Sequence, residues 1–135
     1  MNYHKILSWT ALITSLFLVI LPKYVAICTG YTAGGNPMQC HYTYQVEFLI
    51  TLLAIILSAN LLVLRTAEAK LLASFVIFLL GIIVIVLPEL WVIGICKNGA
   101  CLKTTFFARI GGSILVISGL LLTLLNRKRQ AEEIT

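Results

Sequence analysis

The sequence predicts an all-α membrane protein: a four-transmembrane-helix bundle built from two repeated helical hairpins, with two disulfide-containing extracellular loops. Three observations predict this class. Of the 135 residues, 60% are hydrophobic and 11% are charged, and the mean hydropathy is +1.02. A chain of this size has no core large enough to hide that much apolar surface from water, so its solvent is lipid. Four apolar stretches, 6–27, 44–64, 71–95 and 105–125, each approach the roughly 20 residues that cross a ~30 Å hydrocarbon core as a helix. Finally, ILPKYVAIC (20–28) is echoed by VLPELWVIGIC (86–96), so the chain repeats one hairpin.

Span one follows MNYHK and so resembles a secretory signal. It runs through Pro22 to Ile27 without an A-x-A cleavage pattern, which reads as an uncleaved first helix. An outer loop, 28–43, follows, with Gly30, Gly34, Gly35 and Asn36 supplying its turns. Span two leads to a short link flanked by Arg65 and Lys70, the joint between the hairpins. The first hairpin is thus 1–67 and the second 68–126. Span three carries Pro88 and Glu89 near its end, where proline should stop or kink the helix as it leaves the hydrocarbon. A second outer loop, 96–104, turns at KNG. Span four follows, and the charged tail 127–135, NRKRQAEEIT with its preceding Asn126, is expected to fray into water. None of the spans alternates as a strand would, and backbone satisfaction in lipid leaves helices as the solution.

Orientation follows from charge. Lys5, Arg65, Lys70, Arg127, Lys128 and Arg129 lie on the side of the termini and the joint, whereas Lys23, Lys97, Lys103 and Arg109 lie on the other. The positive-inside rule then puts the protein in the cell membrane with both termini cytoplasmic and the cysteine loops outside. An aromatic belt of Tyr24, Tyr42, Tyr44, Trp91, Phe106 and Phe107 marks the outer interface. The net charge of +5 is absorbed by this pattern; no basic stripe with interleaved aromatics points to nucleic acid.

Four ionisable residues sit inside or at the outer edge of the spans: Lys23, Glu47, Glu89 and Arg109. Each costs a few kcal/mol in hydrocarbon unless paired or wet. Lys23–Glu47 and Glu89–Arg109 are the pairs within each hairpin, and cross-hairpin pairs are equally open. Such pairs either fix the register of the bundle or offer a polar contact to a partner helix or small ligand. In the repeat, Thr43 and Thr104 each follow a cysteine by three residues, and each is followed by one charge, Glu47 or Arg109.

Cys28, Cys40, Cys96 and Cys101 all fall in the outer loops, where an oxidising exterior favours bridges. Three full connectivities exist, and the repeat favours Cys28–Cys40 and Cys96–Cys101, each constraining a loop by about 2–4 kcal/mol. Two sharper roles compete. A membrane thiol-disulfide oxidoreductase ordinarily presents a reactive C-x-x-C, a spacing neither pair has. Soft-metal binding through Cys28, Met38, Cys40, His41, Cys96 and Cys101 lacks paired histidines. The expectation is therefore no metal, no cofactor and no catalytic residue. Asp is absent, which removes Ser-His-Asp chemistry. Ala108, Gly112 and Gly119, with Gly111, Ser113 and Ser118 beside them, mark a helix-packing face on span four; Ser8, Ala11 and Ser15 do so on span one.

Two segments, MQCHYTYQVE (38–47) and LWVIGICKNGACLKT (90–104), resemble a family of small bacterial four-helix membrane proteins catalogued as a domain of unknown function. The resemblance covers nearly the whole chain. It implies a gene neighbourhood with macrolide-exporter-type ABC transporters, and hence an accessory subunit. The functional expectation is a non-enzymatic integral membrane protein that contacts lipid and binds another membrane protein, an ABC-transporter permease being the implied partner. The alternatives are a thiol oxidoreductase and a small transporter or channel.

Overall fold

The computed structural model describes residues 3–24, 33–35, 39–89 and 99–135, with Pro22, 39–40 and 99–102 described as backbone only. It contains four helices: α1 (Tyr3–Tyr24), α2 (Gln39–Val63), α3 (Ala67–Val86) and α4 (Gly99–Ile134). Among the described residues there is no strand. All four helices are long and apolar enough to cross a membrane. The shortest, α3, has 20 residues, or ~30 Å at 1.5 Å per residue. The chain is a multi-pass membrane protein.

Its packing is that of a protein dissolved in lipid. The exposed residues include Ile13, Phe17, Leu49, Leu72, Ile117 and Leu124, whereas the buried ones include Ser8, Ser15, Thr51, Ser58, Ser74 and Ser118. Lipid supplies no force that drives leucines inward, so small residues that allow close backbone approach take the interior. Their hydroxyls bond back to the preceding turn: Ser15 Oγ donates to the Ala11 carbonyl at 2.7 Å and Ser58 Oγ to that of Ala54 at 2.7 Å. The apolar centre consists of Ala11, Leu18, Leu61, Ala73, Ile77, Val84, Leu115 and Leu122.

The helices form a ring in chain order. The α3–α4 contact is the most extensive, α1 packs on α2 and α4, and α2 touches α3. Glycines set the α3–α4 distance. A Cβ on Gly119 would meet the Phe78 amide nitrogen at 2.7 Å, and one on Gly81 would meet the Val116 nitrogen at 2.8 Å. Gly112 lies against Val84, Ile85 and the Gly81 carbonyl, and Gly111 faces Leu18 of α1. Ala108 is buried at the same seam. Thr123 Oγ1 donates to Ser74 Oγ across α3–α4 at 3.3 Å.

Helix ends differ from the sequence expectation in three places. The helix α3 ends at Val86, inside the predicted span 71–95, of which 90–95 lie outside the described residues. Pro88 has no N–H to donate and its ring crowds the Val84 carbonyl, so the chain turns, with the Leu87 amide on Ile83 O and that of Glu89 on Val86 O. The tail 127–135 does not fray: α4 continues to Ile134, 36 residues in all. Arg, Lys, Gln, Ala and Glu are strong helix formers, and extending an existing helix avoids the cost of nucleation. Lys128–Glu132 and Arg129–Glu133 also lie at i,i+4 spacing. The helices α2 and α4 begin earlier than the predicted loops 28–43 and 96–104 allow, at Gln39 and Gly99, and so take in the second cysteine of each. Within the first loop, Gly35 has φ of +78°, a left-handed turn that suits glycine.

Candidate functional site

The polar residues singled out by sequence gather at the end of the bundle opposite the termini. On α2 an inward stripe, Thr43, Glu47, Thr51, Ala54, Ser58 and Leu61, follows the helical period. Glu47 is therefore inside the bundle, at 5% exposure. Thr51 Oγ1 donates to the Glu47 carbonyl at 2.9 Å. The carboxylate oxygen Oε1 of Glu47 is buried without a hydrogen-bond partner among the described residues. On α4, Thr104 and Thr105 are likewise buried.

Lys23 and Glu47 do not pair. Lys23 occupies the exposed face of the last turn of α1, whereas Glu47 points inward between Thr43 and Thr51. Glu89 and Arg109 do meet: Arg109 Nη2 donates to Glu89 Oε1 at 2.7 Å, with side chains 43% and 48% exposed. Pro88 makes this possible by ending α3, which leaves Glu89 on a turn beside α4.

The repeated charge positions are thus not equivalent in space. Glu47 follows the buried Thr43 by four residues, but Arg109 follows the buried Thr104 by five. One residue rotates a helical side chain by ~100°. Ala108 consequently takes the inward position and Arg109 is turned out onto the bundle surface, among the exposed Phe106, Phe107 and Ile110.

Of the residues assigned to the aromatic belt, Tyr24, Tyr42, Phe106 and Phe107 are exposed. Tyr44 is an exception and faces the interior at 6% exposure, one position after Thr43 on the inward stripe. Trp91 lies outside the described residues. So do Cys28, Cys96 and Met38, and Cys40 and Cys101 are described as backbone only, so neither bridge can be placed. His41 is exposed, and its Nε2 lies 3.1 Å from Gln45 Nε2. Among the described residues no three His, Cys, Asp or Glu side chains converge as a metal site.

A family model for a domain of unknown function, DUF4418, matches residues 11–125. The chain belongs to the DUF4418 family. The match takes in most of α1, all of α2 and α3, and α4 through Leu125. No curated protein and no solved structure matches the chain.

Three structural residues escape sequence reasoning. Gly81 is a lone glycine in the apolar α3; an interior glycine costs a helix about 0.5–1 kcal/mol, and that cost was the available signal of a close contact. His4 and Asn126 form a polar pair of neighbours at the opposite end of the bundle, where Asn126 is 2% exposed. Both sit in charged sequence, MNYHK and NRKR, that reads as solvent-facing.

Proposed function

We propose that this DUF4418 protein is a non-enzymatic accessory subunit that binds another integral membrane protein through the outer end of its α3–α4 face. The observation that carries this reading is the Glu89–Arg109 pair. Both partners are about half exposed, and they stand on the outside of a membrane bundle. Arg109 lies six residues inside the span that begins at Lys103, or ~9 Å along the helix. An ion pair turned toward acyl chains is costly, and the same pair turned toward a polar group of a neighbouring helix is favourable. The interior supports the non-enzymatic part, because its serine hydroxyls are engaged on helix carbonyls. The polar outer end and the polar inner end are separated by the apolar centre from Leu18 to Leu115, which speaks against a transport path.

In this proposal both termini are cytoplasmic, the cysteine loops are extracellular and bridged, and the partner is a permease of the macrolide-exporter ABC type, as the bacterial family resemblance implies. Affinity purification from native membranes in mild detergent tests the reading. The wild-type chain should retain one membrane protein in fixed ratio, and the Glu89→Gln/Arg109→Gln variant should lose it while still folding. A wild-type chain that retains none, or a double variant that retains it equally well, overturns the proposal. Reporter fusions at each terminus and in each loop test the orientation.

A further inference from the structure

At the end of the bundle that carries the termini, α1, α2 and α3 leave a cleft of about 290 Å³ between them. It is lined by His4, Lys5, Trp9, Leu61, Leu62 and Lys70. The lining divides by chemistry. Lys5, Lys70 and His4 form the rim at the helix ends, while Leu61, Leu62 and Trp9 form the wall that leads toward the bundle centre. Trp9 is half exposed, and Ile13, one turn further along the same face, is 61% exposed. The cleft is thus cationic at its mouth and opens laterally onto an apolar surface.

Two buried nitrogens lie at this end of the bundle, on His4 of the rim and on its neighbour Asn126. His4 Nε2 and Asn126 Nδ2 are each shielded from solvent with no hydrogen-bond partner at that atom among the described residues. Leaving a buried donor unpaired is costly, so such a group calls for a partner, whether water, an ion or a ligand. Lys70 and Arg129 are the cations that act on His4, and no carboxylate lines the cleft. Of the acids at this end, Glu68 and Glu133 line a separate groove with Arg65, and Glu132 lines neither it nor the cleft. Cations and nitrogen donors without a competing acid select an anion, and phosphate oxygens accept from several donors at once.

We infer that this cleft is a binding site for the phosphate of an anionic phospholipid headgroup, with an acyl chain lying along Trp9 and Ile13. Basic pockets between membrane helices recognise such headgroups, and tryptophan favours the headgroup level. The apolar wall is what singles out a lipid, because a free phosphate ion gains nothing from it. The inference is independent of the partner proposed for the opposite end.

The test uses the purified full chain in detergent, with native mass spectrometry after addition of phosphatidylglycerol or phosphatidylcholine of identical acyl chains. The wild type should retain one phosphatidylglycerol and not phosphatidylcholine. Removing two cations, Lys5→Gln/Lys70→Gln, should weaken retention roughly 30-fold. Arg127→Gln/Lys128→Gln removes the same charge from exposed positions at the same end and should change retention less than about threefold. Equal retention by the first variant, equal loss in the second, or displacement of the lipid by millimolar inorganic phosphate each overturns the inference. Should Lys5→Gln/Lys70→Gln fail to fold, the wild-type site is read directly. In a Trp91→Phe background, brominated phosphatidylglycerol should quench Trp9 more strongly than brominated phosphatidylcholine, and equal quenching refutes the site.

Discussion

Gly119→Ala is expected to destabilise the bundle, although alanine is the better helix former. The new Cβ would sit 2.7 Å from the Phe78 amide nitrogen and 2.8 Å from its Cα. Ordinary van der Waals contact begins near 3.5 Å, so α3 and α4 must separate locally by something under an ångström. The obstacle is backbone, so no rotamer change relieves it. Overpacking of this kind costs about 1–3 kcal/mol, against a helix-propensity gain of about 1 kcal/mol for replacing glycine. The net is a loss of up to about 2 kcal/mol. At Gly111 the same methyl meets the Leu18 side chain, at 2.5 Å from Cδ2, and that obstacle can be trimmed. Gly111→Ala should therefore be partly rescued by Leu18→Ala, with a favourable coupling of about 1 kcal/mol. No side-chain truncation on α3 should rescue Gly119→Ala. Reversible unfolding in mixed detergent micelles, followed by circular dichroism, reads each difference. If Gly119→Ala is more stable than the wild type by the full propensity gain of about 1 kcal/mol, the close α3–α4 approach is wrong. If Phe78→Ala rescues it, the backbone argument is wrong.

Four other outcomes follow from the charged and sulfur groups. A double-mutant cycle on Glu89 and Arg109 should give a coupling of about 0.5–1 kcal/mol, the range for half-exposed pairs, and the exchange Glu89→Arg/Arg109→Glu should recover most of it; zero coupling would refute the contact. Glu47→Gln should leave stability within about 1 kcal/mol of the wild type, because the amide keeps the shape and Oε1 has no cation to lose. Glu47→Lys should prevent folding, since it forces a charge into the inward stripe; a stable Glu47→Lys bundle would mean that Glu47 faces water. Peptide mapping without reductant is expected to recover Cys28 joined to Cys40 and Cys96 joined to Cys101; cross-loop peptides would overturn the pairing.

The helices were legible because lipid imposes one simple rule: about 20 apolar residues per crossing. Their ends were less legible, since hydropathy locates hydrocarbon and not helix. The helix α4 outruns its apolar stretch on residues that are polar yet strongly helical, and α3 falls short of its stretch because Pro88 outweighs the apolar run after it. The small residues of span four were readable as a packing face, and Gly112 and Gly119 lie against α3. Which charges meet was not readable. Sequence spacing gave Lys23–Glu47 and Glu89–Arg109 equal standing, and only the direction of each side chain separates them. His4 and Asn126 were hidden by charged neighbours that point outward while they point in.

That difference in direction bears on how the two hairpins divide their work. With Thr43 and Thr104 as the common reference, the first copy places its charge at the fourth residue and the second at the fifth. In the first copy the carboxyl of Glu47 is drawn into the ring of helices, where it can act only on the bundle itself or on what enters it. In the second copy Ala108 takes the inward place, which lets α4 press close to its neighbours, and Arg109 is carried to the outside to meet Glu89. A single residue of offset thus turns two corresponding polar positions in opposite directions. With Arg109 turned out, the close α3–α4 approach at Gly81, Gly112 and Gly119 carries no charge. A tight, outward-charged hairpin beside a looser one with an inward acid is consistent with the docking we propose for the α3–α4 face.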